Sequence, residues 1–132
     1  MDYVILRWLV AALLSGFVGL PAALADGRTT NDAVYNEEQA EAGEQLYEEH
    51  CLLCHDKKYF RPVFKTWEGQ TLDTMLVVMS TTMPQSNPGV LPLDDYVDIL
   101  AYMLSLNRYP AGAEPLSDDD GALRDITIAA RQ

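Results

Sequence analysis

The stretch Cys51-Leu52-Leu53-Cys54-His55 holds the chain's only two cysteines and one of its two histidines. Two thiols at this spacing, with an imidazole directly after the second, are either joined to each other or to a shared third body. A structural disulfide would use Cys51 and Cys54 and leave His55 without a role. A thioredoxin-like redox pair belongs in a βαβ setting, and no strand pattern precedes this one. Zinc asks for about four ligands, whereas His50, Cys51, Cys54 and His55 are the only soft donors near the motif and are crowded together.

The rest of the chain explains what such a third body is needed for. From Glu37 to His50 the sequence is helical, with Ala40, Gly43 and Tyr47 recurring at three and four and Leu46 beside them. Asn36 is placed to cap this helix, and glutamates in its first turn suit the positive end of the helix dipole. Gly43 costs a helix interior about 1 kcal/mol against alanine, so a close neighbour is expected there. Residues 56–70 contain Pro62 and Gly69 and read as a loop with Phe60, Val63, Phe64 and Trp67 turned inward. Thr71 caps a second helix from Leu72 to about Thr81. Pro84, Pro88, Gly89 and Pro92 make residues 83–92 a stiff extended loop. A third helix runs from Asp94 to about Asn107, with Val97, Leu100, Ala101 and Leu104 on one face, and Pro110 and Gly112 ending it. No strand and no repeat stands out. The expectation is an all-α fold, three main helices and long loops whose thin core is completed by a large apolar cofactor.

Cys-x-x-Cys-His is the attachment pattern of c-type haem. Two thiols one helical turn apart add across the two vinyl groups of one porphyrin edge, and His55 then presents its imidazole to the iron. One such haem c is the expected cofactor. For the second axial position the donors are Met75, Met79, Met83, Met103 and His50. His50 adjoins Cys51 on the wrong side of the attachment. Met75 and Met79 form a helical stripe that suits core packing, as does Met103 on the third helix. Met83 stands just past the second helix, before Pro84, where a stiff loop presents its thioether; it is the expected distal ligand, with Met79 next. His/Met ligation raises the reduction potential and leaves no open iron site, which fits electron transfer.

Residues 8–25 carry no charge, Arg7 precedes them, and Ala23-Leu24-Ala25 reads as a cleavage site before Asp26. This is a secretory signal pattern over residues 1–25; an uncleaved anchor is the competing reading, because the apolar run approaches membrane-spanning length. Either way the remainder, 107 of the 132 residues, is exported to the periplasm. It divides into a flexible lead (26–36), the haem domain (37–112) and an acidic tail (113–132). Its formal charge is −11, which excludes nucleic acid and anionic lipid surfaces as partners and favours basic protein surfaces. Glu44, Glu48 and Glu49 adjoin the haem motif and are candidates for docking such a partner.

Several of these residues resemble a known family. Gly43-x-x-x-Tyr47-x-x-x-Cys51, the stretch Asp98-Ile99-Leu100-Ala101-Tyr102 and Thr82-Met83-Pro84 are similar to the first helix, last helix and distal-ligand loop of class I c-type cytochromes. In that family an aromatic of the last helix packs on the glycine of the first. Trp67-Glu68-Gly69 to Leu72, Ser80 to Pro84, Pro88-Gly89 and Ser105-Leu106-Asn107 to Gly112 are similar to a narrower group that serves periplasmic quinoprotein dehydrogenases. The resemblance implies a dehydrogenase as electron donor and a membrane oxidase or another cytochrome as acceptor, and it adds Trp67 to the haem surroundings. The family's Gly-Pro-x-Leu loop, whose carbonyl serves the proximal histidine, is missing here; Pro62 is the candidate to offer a carbonyl in its place, and Arg61 to meet a propionate. The expected function is a periplasmic carrier of single electrons with no catalysis of its own. Two other readings remain: a dedicated dehydrogenase subunit whose tail, with little core to join, wraps its partner, and a haem sensor in which Met83 leaves the iron open.

Overall fold

The computed structural model describes residues 27–131; the export segment expected over residues 1–25 lies outside the described residues. The elements in chain order are β1 (Arg28–Thr29), α1 (Glu37–His50), α2 (Phe60–Thr66), α3 (Leu72–Thr82), α4 (Leu93–Leu106), short 3-10 turns within Asp119–Asp125, and β2 (Ile126–Thr127). The fold is all-α, with three main helices. Among the described residues no helix is long and apolar enough to cross a membrane.

α1 and α4 form the frame. The Asn36 side chain accepts a hydrogen bond from the Gln39 amide at 2.9 Å, capping α1 as expected. Gly43 lies where the two helices cross, and a Cβ at this position would overlap the backbone of Asp98 and Ile99. The close neighbour of Gly43 is therefore the α4 backbone, not an aromatic ring as the resemblance implies. The aromatic expected there, Tyr102, lies one turn further along and meets Tyr47 edge-on, ring centroids 5.3 Å apart. Around the crossing, Tyr47, Ile99, Leu100 and Leu104 are completely or almost completely buried. α4 starts at Leu93, one residue before the expected start, with Asp94 and Asp95 in its first turn. It ends at Leu106, capped by Asn107, before Pro110 and Gly112 are reached. The Asn107 amide side chain donates to the Met103 carbonyl at 2.8 Å, and Arg108 takes a left-handed conformation (φ 62°) that turns the chain away.

Residues 60–66 are a helix, not the expected loop. Pro62 occupies the first turn of α2, where a missing N–H removes no helical bond. Phe64 is buried, while Phe60 and Trp67 are half-buried against the core. α3 begins, as expected, after Thr71, whose hydroxyl accepts from the Thr74 amide at 3.2 Å.

The lead and the tail differ most from expectation. Far from loose, Thr30, Val34 and Tyr35 are buried, as are Leu116, Leu123, Ile126 and Ile128. β1 and β2 pair in parallel, Arg28 with Ile126 and Thr29 with Thr127. On the other side, Ile128 exchanges two 2.8 Å bonds with the segment before α3: its amide donates to the Gln70 carbonyl, and its carbonyl accepts from the Gly69 amide. Gln39 of α1 closes a second join by accepting from the Leu116 amide (2.7 Å) and donating to the Leu116 carbonyl (2.8 Å). The tail thus belongs to this chain's own core.

Candidate functional site

The Cys51–His55 motif continues α1 as a series of turns. The Cys51 amide donates to the Tyr47 carbonyl at 2.9 Å, and the Cys54 and His55 amides both donate to the Cys51 carbonyl, at 3.1 and 2.9 Å. This winding sets Cys51 and Cys54 about one turn apart, with His55 directly after them. Both cysteines are free, Cys51 half-buried and Cys54 exposed. Burial pushes the Cys51 thiol above its ordinary range. That is the opposite of the depressed thiol of a redox-active pair, and β1, two residues long, provides no βαβ setting. Among the described residues no three His, Cys, Asp or Glu side chains gather as a metal-ligand group, so a zinc donor set is not assembled.

His55 is half-buried. Its ring lies 4.4 Å from the ring of Tyr59 and 5.7 Å from that of Phe60. Its carbonyl accepts a hydrogen bond from the Tyr47 hydroxyl. Tyr47 is wholly buried, and burial raises its phenol to about 12, so it remains a donor across the ordinary pH range.

Met83 ends α3, its amide donating to the Met79 carbonyl at 2.9 Å. Its own carbonyl accepts from the Tyr96 hydroxyl of α4 at 2.6 Å and from the Gly89 amide at 3.4 Å. Gly89 takes φ 75° where the loop folds back toward Met83. Met75 and Met103 are buried in the core, as their helical positions suggested, whereas Met79 and Met83 are half-buried. His50 lies at the end of α1, with Nε2 3.7 Å from a Glu49 carboxylate oxygen.

Pro62 is exposed within the first turn of α2, and its carbonyl runs along that helix; the side chains that meet the His55 ring are Tyr59 and Phe60. Arg61 is exposed. Trp67 caps the C-terminus of α2 and packs half-buried against the core. Leu53, between the cysteines, is 98% exposed, and Leu52, Tyr59, Val77, Val78 and Val90 are also exposed.

The acidic residues beside the motif are less free than their sequence suggests. Lys57 reaches Glu44 at 2.8 Å and Glu48 at 3.1 Å, and lies over the Tyr102 ring. Its bond to Glu44 holds the lysine above its ordinary range, and the Lys57 and Tyr102 bonds hold the Glu44 carboxyl below its own. Two of the three glutamates expected to dock a partner are thus partly neutralised within the chain.

Sequence reasoning named the thiols, the imidazole and the thioether as candidates. It missed Tyr47 and Tyr96, which hold the backbone of His55 and Met83; the one available signal was their place on the apolar faces of α1 and α4.

The donor set fits a covalently held haem: two free thiols one turn apart, an imidazole immediately after them, and half-buried thioethers at the end of a separate helix. Residues 38–103 match the model of a family described as cytochrome C oxidase, cbb3-type, subunit III. No curated protein and no solved structure matches the chain.

Proposed function

Because this chain belongs to the family of cbb3-type cytochrome c oxidase subunit III, and is thereby a c-type cytochrome, we propose that it is a single-haem electron carrier that works in the periplasm. The family carries covalently bound haem iron and transfers electrons; it is not a catalyst of substrate chemistry. In this reading Cys51 and Cys54 hold the haem by thioethers, His55 is the proximal ligand and Met83 the distal one. The observation that supports it is the winding of residues 51–55, which continues the turns of α1 through both cysteines to His55.

Haem held there supplies a one-electron couple at its iron. The protein's part is to hold and tune it. The covalent bonds retain the cofactor in a small domain, where burial alone is a weaker anchor. A neutral thioether from Met83 favours the lower charge on iron, which raises the potential. With His55 and Met83 both engaged, no position is left open to a substrate. The surface charge, −11 over the whole chain, favours basic partners and speeds their approach at low salt.

For partners, we propose a periplasmic dehydrogenase as donor and a membrane oxidase or another cytochrome as acceptor. The family's description names an oxidase subunit, which supports the acceptor side. The resemblance of Trp67 to Leu72 and Ser80 to Pro84 to dehydrogenase-associated cytochromes supports the donor side. The tail no longer argues for a partner-wrapping subunit, since Leu116, Leu123, Ile126 and Ile128 are buried in the chain's own core.

The test is to export the protein from a host with haem c maturation machinery and record spectra of both redox states beside a haem-stained denaturing gel. Haem that stays on the denatured chain, low-spin bands and the weak methionine-to-ferric-iron band are the expected results. Met83→Ala then removes the weak band and keeps the haem. A high-spin spectrum that binds carbon monoxide would replace the carrier with a sensor, and a chain without haem would overturn the assignment.

A further inference from the structure

The two residues read as axial ligands are tied to the same frame by the same device. Tyr47 leaves α1 fully buried, and its hydroxyl donates to the His55 carbonyl. Tyr96 leaves α4 at 2% exposure, and its hydroxyl donates to the Met83 carbonyl at 2.6 Å. α1 and α4 are locked together where Gly43 meets the Asp98 backbone. Each buried phenol spends its donor on the peptide of a ligand residue, and a buried donor left without a partner is costly.

The two ties do not carry equal weight. His55 follows Cys54 directly, so on the proposed function a covalent bond holds the neighbouring residue in place. The Met83 side has no covalent anchor. Its peptide caps the C-terminal end of α3, ahead of the loop over Gln85–Val90, which is exposed throughout. Besides the α3 bond to Met79 and the long contact from Gly89, the Tyr96 hydroxyl is what joins Met83 to the α1–α4 frame.

We infer that Tyr96 is a positioning residue for the distal ligand: its hydrogen bond to the Met83 carbonyl holds the thioether at the iron, and Tyr47 is its less critical counterpart on the proximal side. The inference rests on the ligand assignment made above. Tyr96 acts through the Met83 backbone and does not itself touch the iron.

The experiment compares ferric holoprotein of the wild type with Tyr96→Phe and Tyr47→Phe, titrating each with imidazole, which competes with Met83. Tyr96→Phe keeps the ring and loses only the donor. It is expected to keep its haem, weaken the methionine-to-iron band and bind imidazole about tenfold more tightly, the size of one lost hydrogen bond. Tyr47→Phe is expected to stay near the wild-type affinity. Replacement of Tyr96 by 4-aminophenylalanine, which restores a donor at the ring's end, is expected to restore the wild-type affinity, and it serves as the informative variant should Tyr96→Phe fold poorly. A Tyr96→Phe protein that melts lower yet keeps wild-type imidazole affinity would reduce Tyr96 to a packing residue and overturn the inference. A 4-aminophenylalanine protein as loose as Tyr96→Phe would also overturn it. Met83→Ala separates the two levels: if it leaves the wild-type band intact, the ligand assignment fails; if it removes the band while Tyr96→Phe matches the wild type, only the Tyr96 inference fails.

Discussion

At the α1–α4 crossing two backbones touch, with Gly43 against Asp98 and buried aliphatic and tyrosine side chains on every side. Across Cys51–Leu91 the chain is held differently. Phe64, Leu72, Met75 and Leu76 reach the core, but Leu53, Val77, Val78 and Val90 stay at the surface, and the stretch is also pinned at separate points: Tyr47 to His55 and Tyr96 to Met83 on the frame, and Gln70 to Ile128 of the tail. The first region is stabilised by contact area, which fails as a whole. The second adds to a smaller buried area a set of discrete polar ties, which fail one at a time. A protein that keeps a soft metal centre under control benefits from both, because a stiff frame gives the ties something to pull against.

Substitutions that separate the two kinds of hold test this contrast. Gly43→Ala has the largest expected effect. The added methyl meets the Asp98 carbonyl, the helices must part, and overpacking against rigid backbone costs about 3 kcal/mol or more. Urea unfolding followed by helix and by tertiary signals is expected to lose both together; a site that outlived the frame would refute the contrast. Leu123→Ala comes next. This tail side chain is fully buried, and its loss is expected to cost about 2–3 kcal/mol by the same measurement. A cost near zero would return the tail to the surface role first expected of it. Thr71→Ala removes the cap of α3 and touches the site-bearing region alone. A loss of about 1 kcal/mol is expected, with faster hydrogen exchange in α3 than in α1. Equal changes in both helices would show that the regions do not separate. The smallest effect belongs to Glu44→Gln. The Lys57 bond, then the Tyr102 bond, lowers the Glu44 pKa from its ordinary 4.5, so its contribution is complete above that value and is lost as the pH falls through the lower folded value. The variant's melting temperature is expected to depend less on pH over that acid interval; an unchanged slope would remove the Lys57 network from the account.

Local signals were readable. Asn36 and Thr71 cap the helices they were expected to cap, because a cap and the turn after it lie within four residues. Gly43 was correctly read as a close approach, though what approaches is backbone. Short-range reading failed at Pro62, where a proline that suits a first helical turn was read as a loop marker. Long-range joins were not readable at all. Two residues per strand show no alternation, and nothing near Gln39 points to Leu116. The candidate site divides in the same way. Its donor atoms are spelled out in Cys51–His55 and Thr82-Met83-Pro84, whereas the tyrosine ties depend on which helix faces which turn, and that exists only once α1 and α4 have crossed.

The place of β2 also sets an order of events. Ile126–Ile128 lies between Arg28–Thr30 at one edge and Gly69–Thr71 at the other, so this stretch is the wedge that closes both. A polypeptide that emerges N-terminus first shows Cys51–His55 well before that wedge has appeared. Until then the Gly69–Thr71 segment ahead of α3 has no partner to pair with, and the helix that ends in Met83 is untethered at its start. The motif therefore passes through a period in which it is present while the helix that leads to Met83 is not yet fixed at its start, and the arrival of Ile126–Ile128 ends that period.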